Sequence, residues 1–251
     1  MFYILFFVFG TIMGSFYHVV ATRLANDESI IFPASHCINC NHKLSWYENI
    51  PILSYIFLKG KCRNCKEKIP YSCFVSEIVT GVLFAVCFHS FGFSPKFVIA
   101  LVFVSSLITV IISDIEYMII LDEVLVFSSL VIVILDILFF GLTETAYHLY
   151  AGIGAFVTMY IIKIIGDKIF KKESLGGGDI KLMFLFGLVV GYPLAVCTIF
   201  LATFIAFPIA IIIMFLDREN IIPFGPFLSM SAILIMISKI NFVDIINFLI
   251  R

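Results

Sequence analysis

The stretch FVIALVFVSSLITVIISD, residues 97–114, decides the fold. Residues 97–112 carry no charge, and the run approaches the roughly 20 apolar residues that an α-helix needs to cross lipid. Its apolar residues are continuous and do not alternate, so it reads as a helix and not as a strand of a membrane barrel. It ends on a carboxylate, Asp114. Ionisable groups at membrane depth are costly and usually functional, so that one residue already asks for a purpose.

The same ruler, moved outward, finds further apolar runs at 3–20, 78–91, 124–140, 146–165, 180–190, 194–216 and 224–237. An all-α, polytopic membrane protein with about eight transmembrane helices follows. The run 180–190 is short and spans only if it extends into its neighbours. Composition agrees: 62% of the 251 residues are hydrophobic and 13% charged, against about 45–50% and about 25% in soluble domains. No soluble core of this size needs so much apolar surface, so lipid must solvate it. The first run has no basic n-region and no clear small-residue cleavage site, and is expected to stay as a span.

Lys and Arg orient the spans. Arg23, Lys43, Lys59, Lys61, Arg63, Lys66 and Lys68 lie in the first long loop, and Lys163, Lys168, Lys171, Lys172 and Lys181 flank the loop after the fifth span. With that first loop inside, Arg218 also falls inside, and of the 16 Lys and Arg only Lys96, Lys239 and Arg251 fall outside. The positive-inside rule therefore puts the amino terminus outside and the first loop in the cytoplasm.

That loop belongs to the one long polar segment, 21–76, which separates a first transmembrane helix (1–20) from a transmembrane bundle (77–251). It carries Cys37-Ile-Asn-Cys40 and Cys62-Arg-Asn-Cys65, with residues 41–61 between the two pairs. Two C-x-x-C knuckles near this spacing are those of a zinc ribbon closed by four thiolates. Asn39 and Asn64 are turn formers, and the bases that follow favour thiolates. Cytosolic redox poise argues against disulfides. A four-cysteine site has no open coordination position, so a Zn2+ held by Cys37, Cys40, Cys62 and Cys65 is structural. His36 and His42 read as solvated loop residues beside the first knuckle. Cys73, Cys87 and Cys197 read as small core hydrophobes. Asp136, inside the fourth span, has no partner identifiable in the sequence and is expected to reach the outer interface.

Residues 113–123 break the charge rule, with Asp114, Glu116, Asp122 and Glu123 and no base. A second carboxylate, Asp179, follows Gly176-Gly177-Gly178 at the start of the sixth apolar run and precedes Ile180-Lys181. Glycines let another backbone approach closely, and the segment lacks the Lys-Ser/Thr ending of a phosphate-binding loop. Asp114 and Asp179 both sit at cytoplasmic ends of spans, where a bundle can bring them together. Two close carboxylates cannot both ionise easily, so one keeps a proton. An ionised and a protonated carboxyl side by side can activate water against a peptide carbonyl.

These residues resemble the type IV prepilin peptidases, also called prepilin leader peptidase/N-methyltransferases, over nearly the whole chain. The resemblance rests on Gly14-Ser15-Phe16 with Arg23, Ser35 with the first knuckle, Asn49-Ile50-Pro51 with Ser54, Gly60-Lys61-Cys62-Arg63-Asn64-Cys65, Glu77 before Gly81, Asp114 leading to Asp122, and Gly176-Gly177-Gly178-Asp179-Ile180-Lys181. The chain departs from the family's pattern at His18, Leu24, Cys73, Phe74 and Leu121, none of them an aspartate or a knuckle cysteine. The resemblance implies Asp114 and Asp179 as the catalytic pair, with Asp122 as the competitor for the first role. It implies support for the substrate or the loop from Gly176, Gly178, Lys181 and Asp122. It also implies the bacterial cytoplasmic membrane, with the active site at the cytoplasmic face. The implied partners are prepilin and pseudopilin precursors with basic leaders, cut after Gly, together with membrane lipid and no nucleic acid. The N-terminal region would then methylate the new amino terminus from S-adenosylmethionine, although the chain shows no Gly-rich nucleotide fingerprint.

The competing readings are a presenilin-like intramembrane protease of other substrates, a peptidase without methyltransferase activity, a zinc-ribbon membrane scaffold, and a proton-relaying transporter using Asp114, Asp136 and Asp179. The orientation is directly testable. A membrane-impermeant thiol reagent, applied to intact cells, should miss Asn26→Cys and label Ser94→Cys above the background of the parent chain. The reverse pattern overturns the topology.

Overall fold

The computed structural model describes residues 1–37, 39–215, 222–240 and 242. Arg218, Arg251 and the end of the run 194–216 lie outside the described residues. Two compact units make up the chain, Met1–Phe93 and Ser94–Arg251. Eight long helices occur among the described residues, one for each apolar run. Six are long and apolar enough to cross a membrane. The protein is a multi-pass membrane protein.

In the first unit, α1 (Phe2–Ala25) packs antiparallel on α3 (Tyr71–Phe91). Between them run the polar segment, a 3-10 turn at Trp46–Asn49 and a short helix, α2 (Leu53–Phe57). The α1–α3 contact depends on missing side chains. A Cβ on Gly10 would stand 2.8 Å from Gly81 Cα, and one on Gly14 would stand 2.8 Å from Ser76 O and Thr80 Oγ1. Gly10 and Gly14 form the small-xxx-small spacing by which membrane helices approach closely, a signal present in the sequence. At the amino-terminal end of α1, Phe2, Phe6, Phe88 and Phe93 close the pair with ring contacts.

In the second unit the helices are α4 (Pro95–Tyr117), α5 (Asp122–Phe140), α6 (Leu142–Phe170), α7 (Gly177–Val190), α8 (Tyr192–Phe215) and α9 (Gly225–Ser238). Their ends follow from local chemistry. Ser94 caps α4, its hydroxyl accepting from Phe97 N–H at 3.3 Å, with Pro95 in the first turn. Gly141 and Gly191, with φ of +85° and +84°, end α5 and α7. The helix α4 is the enclosed one, with 67% of its apolar window buried against 17–22% for α5, α6 and α8. It packs on α5 and α9, while α6 packs on α7. Outward-facing residues such as Phe200, Phe204 and Phe207 are exposed apolar surface suited to lipid.

Two expectations change. The short sixth run gains one turn upstream, so that Gly177 and Gly178 are helical and not loop. At 14 residues, α7 is about 21 Å long and ends short of a full hydrocarbon thickness; α9 has the same length. Asp136 is buried and does not reach an interface: it shares a hydrogen bond with His148 Nδ1 on α6. The hairpin turned at Gly141 brings these two residues together, and a carboxylate at that depth requires such a donor.

The close helix contact gives a stability prediction. Gly10→Leu should lower the thermal unfolding midpoint of the detergent-solubilised protein, because overpacking costs about 1–3 kcal/mol or more. Ile4→Leu, on an exposed part of the same helix, should leave the midpoint nearly unchanged.

Candidate functional site

The four knuckle cysteines converge. Their sulfurs all lie within 4.8 Å of one another, with Cys37 to Cys65 at 3.7 Å and Cys40 to Cys62 at 3.9 Å. A metal with bonds of about 2.3 Å to four tetrahedral sulfurs sets them about 3.8 Å apart, so the donor set fits zinc. A disulfide would need about 2.05 Å, and all seven cysteines are free.

One turn is used twice. Cys37 N–H donates to His42 O and Cys62 N–H to Glu67 O, while Asn41 N–H returns to Cys37 O and Lys66 N–H to Cys62 O. Asn39 and Asn64 lie in the turns as expected, and the left-handed residues are Asn41 and Lys66, at φ +54° and +62°, each just after the second cysteine of its pair. Backbone N–H groups face the sulfurs. That of His42 helps bring the Cys40 thiol down to about 7, and those of Cys65 and Asn64 lower Cys62. His36 Nδ1 bonds Ala34 O at 3.0 Å, and His42 Nε2, buried without a hydrogen-bond partner, stands 3.4 Å from Glu48 Oε2; among the described residues the metal-ligating cluster consists of the four cysteines alone.

The second unit assembles the carboxylates. Asp114 lies on the last turn of α4 and Asp179 on the first turn of α7, each 7% exposed. They are near enough that the charge of Asp114 acts on Asp179. Each is held by a backbone donor at the start of a helix. Gly176 is the N-cap of α7, and its N–H bonds the Asp179 carboxylate three residues on. That is the reach-back half of a capping box. Gly225, the first residue of α9, gives its N–H to Asp114. A Cβ there would stand 2.5 Å from Asp114 Oδ2, so only glycine permits the contact. Asp179 Oδ1 is buried and has no hydrogen-bond partner.

Ile120 ties these parts together. After Met118 turns left-handed at the end of α4, Ile120 sits against α7, where a Cβ on Gly178 would come within 2.6 Å of its own Cβ. Its Cδ1 also lies 3.2 Å from where a Cβ of Gly225 would be. Asp122 is placed differently from Asp114. Its side chain is 55% exposed and bonds Lys181 Nζ at 2.6 Å, linking the starts of α5 and α7. Gly225 and Ile120 are the residues that sequence reading missed. Gly225-Pro226 marks a helix start, yet nothing local to it names Asp114 as its partner.

The chain matches the family Bacterial Peptidase A24 N-terminal domain over residues 8–91 and the Type IV leader peptidase family over residues 101–211. Over 237 residues it is 35% identical to the prepilin leader peptidase/N-methyltransferase of Bacillus subtilis (strain 168), covering 91% of each chain. The protein of that name from Vibrio cholerae is 30% identical over 251 residues, with 94% of this chain and 96% of the relative covered. That from Myxococcus xanthus is 36% identical over 190 residues, or 74% of this chain and 56% of the relative. No solved structure matches the chain. With the two matches dividing between the cysteine-bearing unit and the aspartate-bearing one, the chain belongs to the type IV leader peptidase family.

Proposed function

We propose that the protein removes the basic leader from type IV prepilin-like precursors after Gly, using Asp114 and Asp179, and then methylates the new amino terminus. The observation that carries the peptidase reading is the pair of buried carboxylates at neighbouring helix ends, each held by a glycine N–H. Proximity and burial disfavour double ionisation, so the pair shares one proton. The ionised carboxylate takes a proton from water as the water oxygen attacks the scissile carbonyl. The protonated carboxyl gives its proton to the carbonyl oxygen. As the tetrahedral intermediate collapses and its C–N bond breaks, the hydroxyl that becomes the carbonyl gives its proton back to the ionised carboxylate, and the leaving nitrogen takes the proton held by the other. The unpaired Asp179 Oδ1 is an acceptor available for this traffic. Asp122, exposed and paired with Lys181, holds the starts of α5 and α7 together.

The setting proposed is the bacterial cytoplasmic membrane, with the amino terminus outside and both aspartates at the cytoplasmic face, supported by the distribution of Lys and Arg. The acidic segment 113–123 suits a basic leader. Residues 21–76 form the zinc-bearing module and the methyltransferase region, and 77–251 the peptidase bundle. Cys37, Cys40, Cys62 and Cys65 hold a structural Zn2+ that gives folding free energy to the module. S-adenosylmethionine, when bound, would supply an electrophilic methyl group for the new amine.

Asp114→Asn or Asp179→Asn should each slow prepilin cleavage by about 10²–10⁴-fold or more, and the double change should cost little beyond either single one. Asp122→Asn should cost much less. Methyl transfer to a pre-cleaved pilin should survive both catalytic changes. Product mass reads both activities, as leader loss and as a single methyl increment. Full cleavage by Asp179→Asn defeats the aspartic mechanism. Cleavage without a methyl increment in the wild type leaves a peptidase alone.

Elemental analysis should find one zinc per chain after purification without chelators. Cys40→Ser should lose the metal and expose 21–76 to limited proteolysis. A chain without zinc that keeps its protease resistance contradicts the structural role.

A further inference from the structure

The polar segment of the first unit holds one short helix, α2, and one side of that helix is apolar and bare. Leu53, Ile56 and Phe57 are spaced i, i+3 and i+4, so they share a face, and they are 50%, 56% and 80% exposed. Apolar residues scattered singly over a surface are ordinary. A contiguous cluster in a polar segment marks a surface that something covers.

The opposite side of α2 is fixed to α3. Tyr55 stacks on Phe74 of α3 at 4.7 Å between ring centroids. Ile52 N–H, at the amino end of α2, donates to Oε2 of Glu77 at 2.6 Å, and Glu77 is buried on α3. That bond holds Ile52, a β-branched residue, at φ +63°, a conformation such residues rarely adopt. Backbone strain of this kind persists only where the surroundings over-determine it. Beyond the helix, Gly60 turns at φ +65° so closely that a Cβ there would stand 3.0 Å from the Tyr55 ring.

The height of this attachment decides what meets the bare face. At 21 residues, α3 is one of the helices long and apolar enough to cross a membrane. Its length of about 31 Å matches the hydrocarbon thickness. Phe74 and Glu77 lie roughly 5 and 9 Å along it from Tyr71, the end that the polar segment joins. Interfacial helices bury their apolar face about 5–10 Å into the boundary between headgroups and acyl chains. A face held at that depth meets lipid before it meets any soluble partner.

The flanks agree. Residues 53–61 contain Lys59 and Lys61 and no acid, which suits anionic headgroups. Tyr71 is exposed at the start of α3, and Trp46 is exposed on the 3-10 turn that packs on α2. Trp and Tyr are the residue types that gather at membrane interfaces.

We propose that α2 is an interfacial helix, with Leu53, Ile56 and Phe57 inserted into the leaflet from which the polar segment emerges and Lys59 and Lys61 at its headgroups. Three side chains suffice, because α1 and α3 already hold α2 at the surface and insertion carries no separate cost of association. The cysteine module is thereby attached to the bilayer between its two bounding spans, and its turns keep a set orientation to the membrane. The inference needs α3 to span and goes beyond both proposed activities, holding whichever reactions the protein catalyses.

Fluorescence quenching in nanodiscs that hold one full-length chain each tests it. Trp46 is the one tryptophan of the chain. Trp46→Phe combined with Phe57→Trp therefore puts a single fluorophore on the face, and an unchanged unfolding temperature shows that the fold is kept. Lipids brominated near the headgroup should quench this tryptophan roughly twofold or more above lipids brominated near the chain end, and aqueous iodide should quench it little. Ile56→Trp in the same background should behave alike, and it decides the matter if Phe57→Trp lowers the unfolding temperature. Quenching by iodide with no effect of either bromolipid overturns the proposal and leaves the face to water or a soluble partner. Protection from iodide and from both bromolipids overturns it as well, since protein then covers the face.

Discussion

A carboxylate in apolar surroundings must be given a donor, a proton or a neighbour it can share one with, and the second unit is arranged to give two of them all three. Asp114 and Asp179 sit at helix ends, where backbone N–H groups have no intrahelical partner and can be given to a side chain. Gly176 gives one at the start of α7 and Gly225 one at the start of α9. The absence of side chains at Gly178 and Gly225 lets Ile120 and Asp114 come close enough for the arrangement to close. Helix ends, glycines and acids thus act as one unit, and removing any of them leaves a buried charge without its partner.

The first unit solves a different problem. Its polar segment is too small to bury a core of its own and relies on sulfur geometry, with two copies of one turn presenting four thiols within 4.8 Å of each other. Glu77 links that segment to the helix pair by capturing Ile52 N–H, on a helix brought close to α1 by Gly10 and Gly14. The membrane pair and the polar module therefore share a carboxylate at their junction.

Much of this was legible in the sequence, because it depends on composition and spacing. Each of the eight apolar runs became a helix, the four cysteines of the two C-x-x-C pairs met, and Asp114 and Asp179 came within electrostatic reach. What stayed hidden depends on pairs distant in sequence. Nothing near Asp136 announces His148, and nothing near Asp114 announces Gly225. The helical start of α7 was missed because glycines favour loops, whereas here the Asp179 carboxylate caps the turn that they open. The spacing of Gly10 and Gly14 was readable and points to the close α1–α3 approach.

The position of Gly225 also bears on where the peptidase ends. The family match stops at residue 211, and a chain trimmed to that boundary would retain both aspartates and the whole of the glycine motif. It would lack the amide that grips Asp114. On the proposed aspartic mechanism, α9 is accordingly a component of the hydrolytic apparatus, through the Gly225 amide. Carboxy-terminal fusions are safe only beyond α9, and chimeras between relatives should exchange α4 and α9 together.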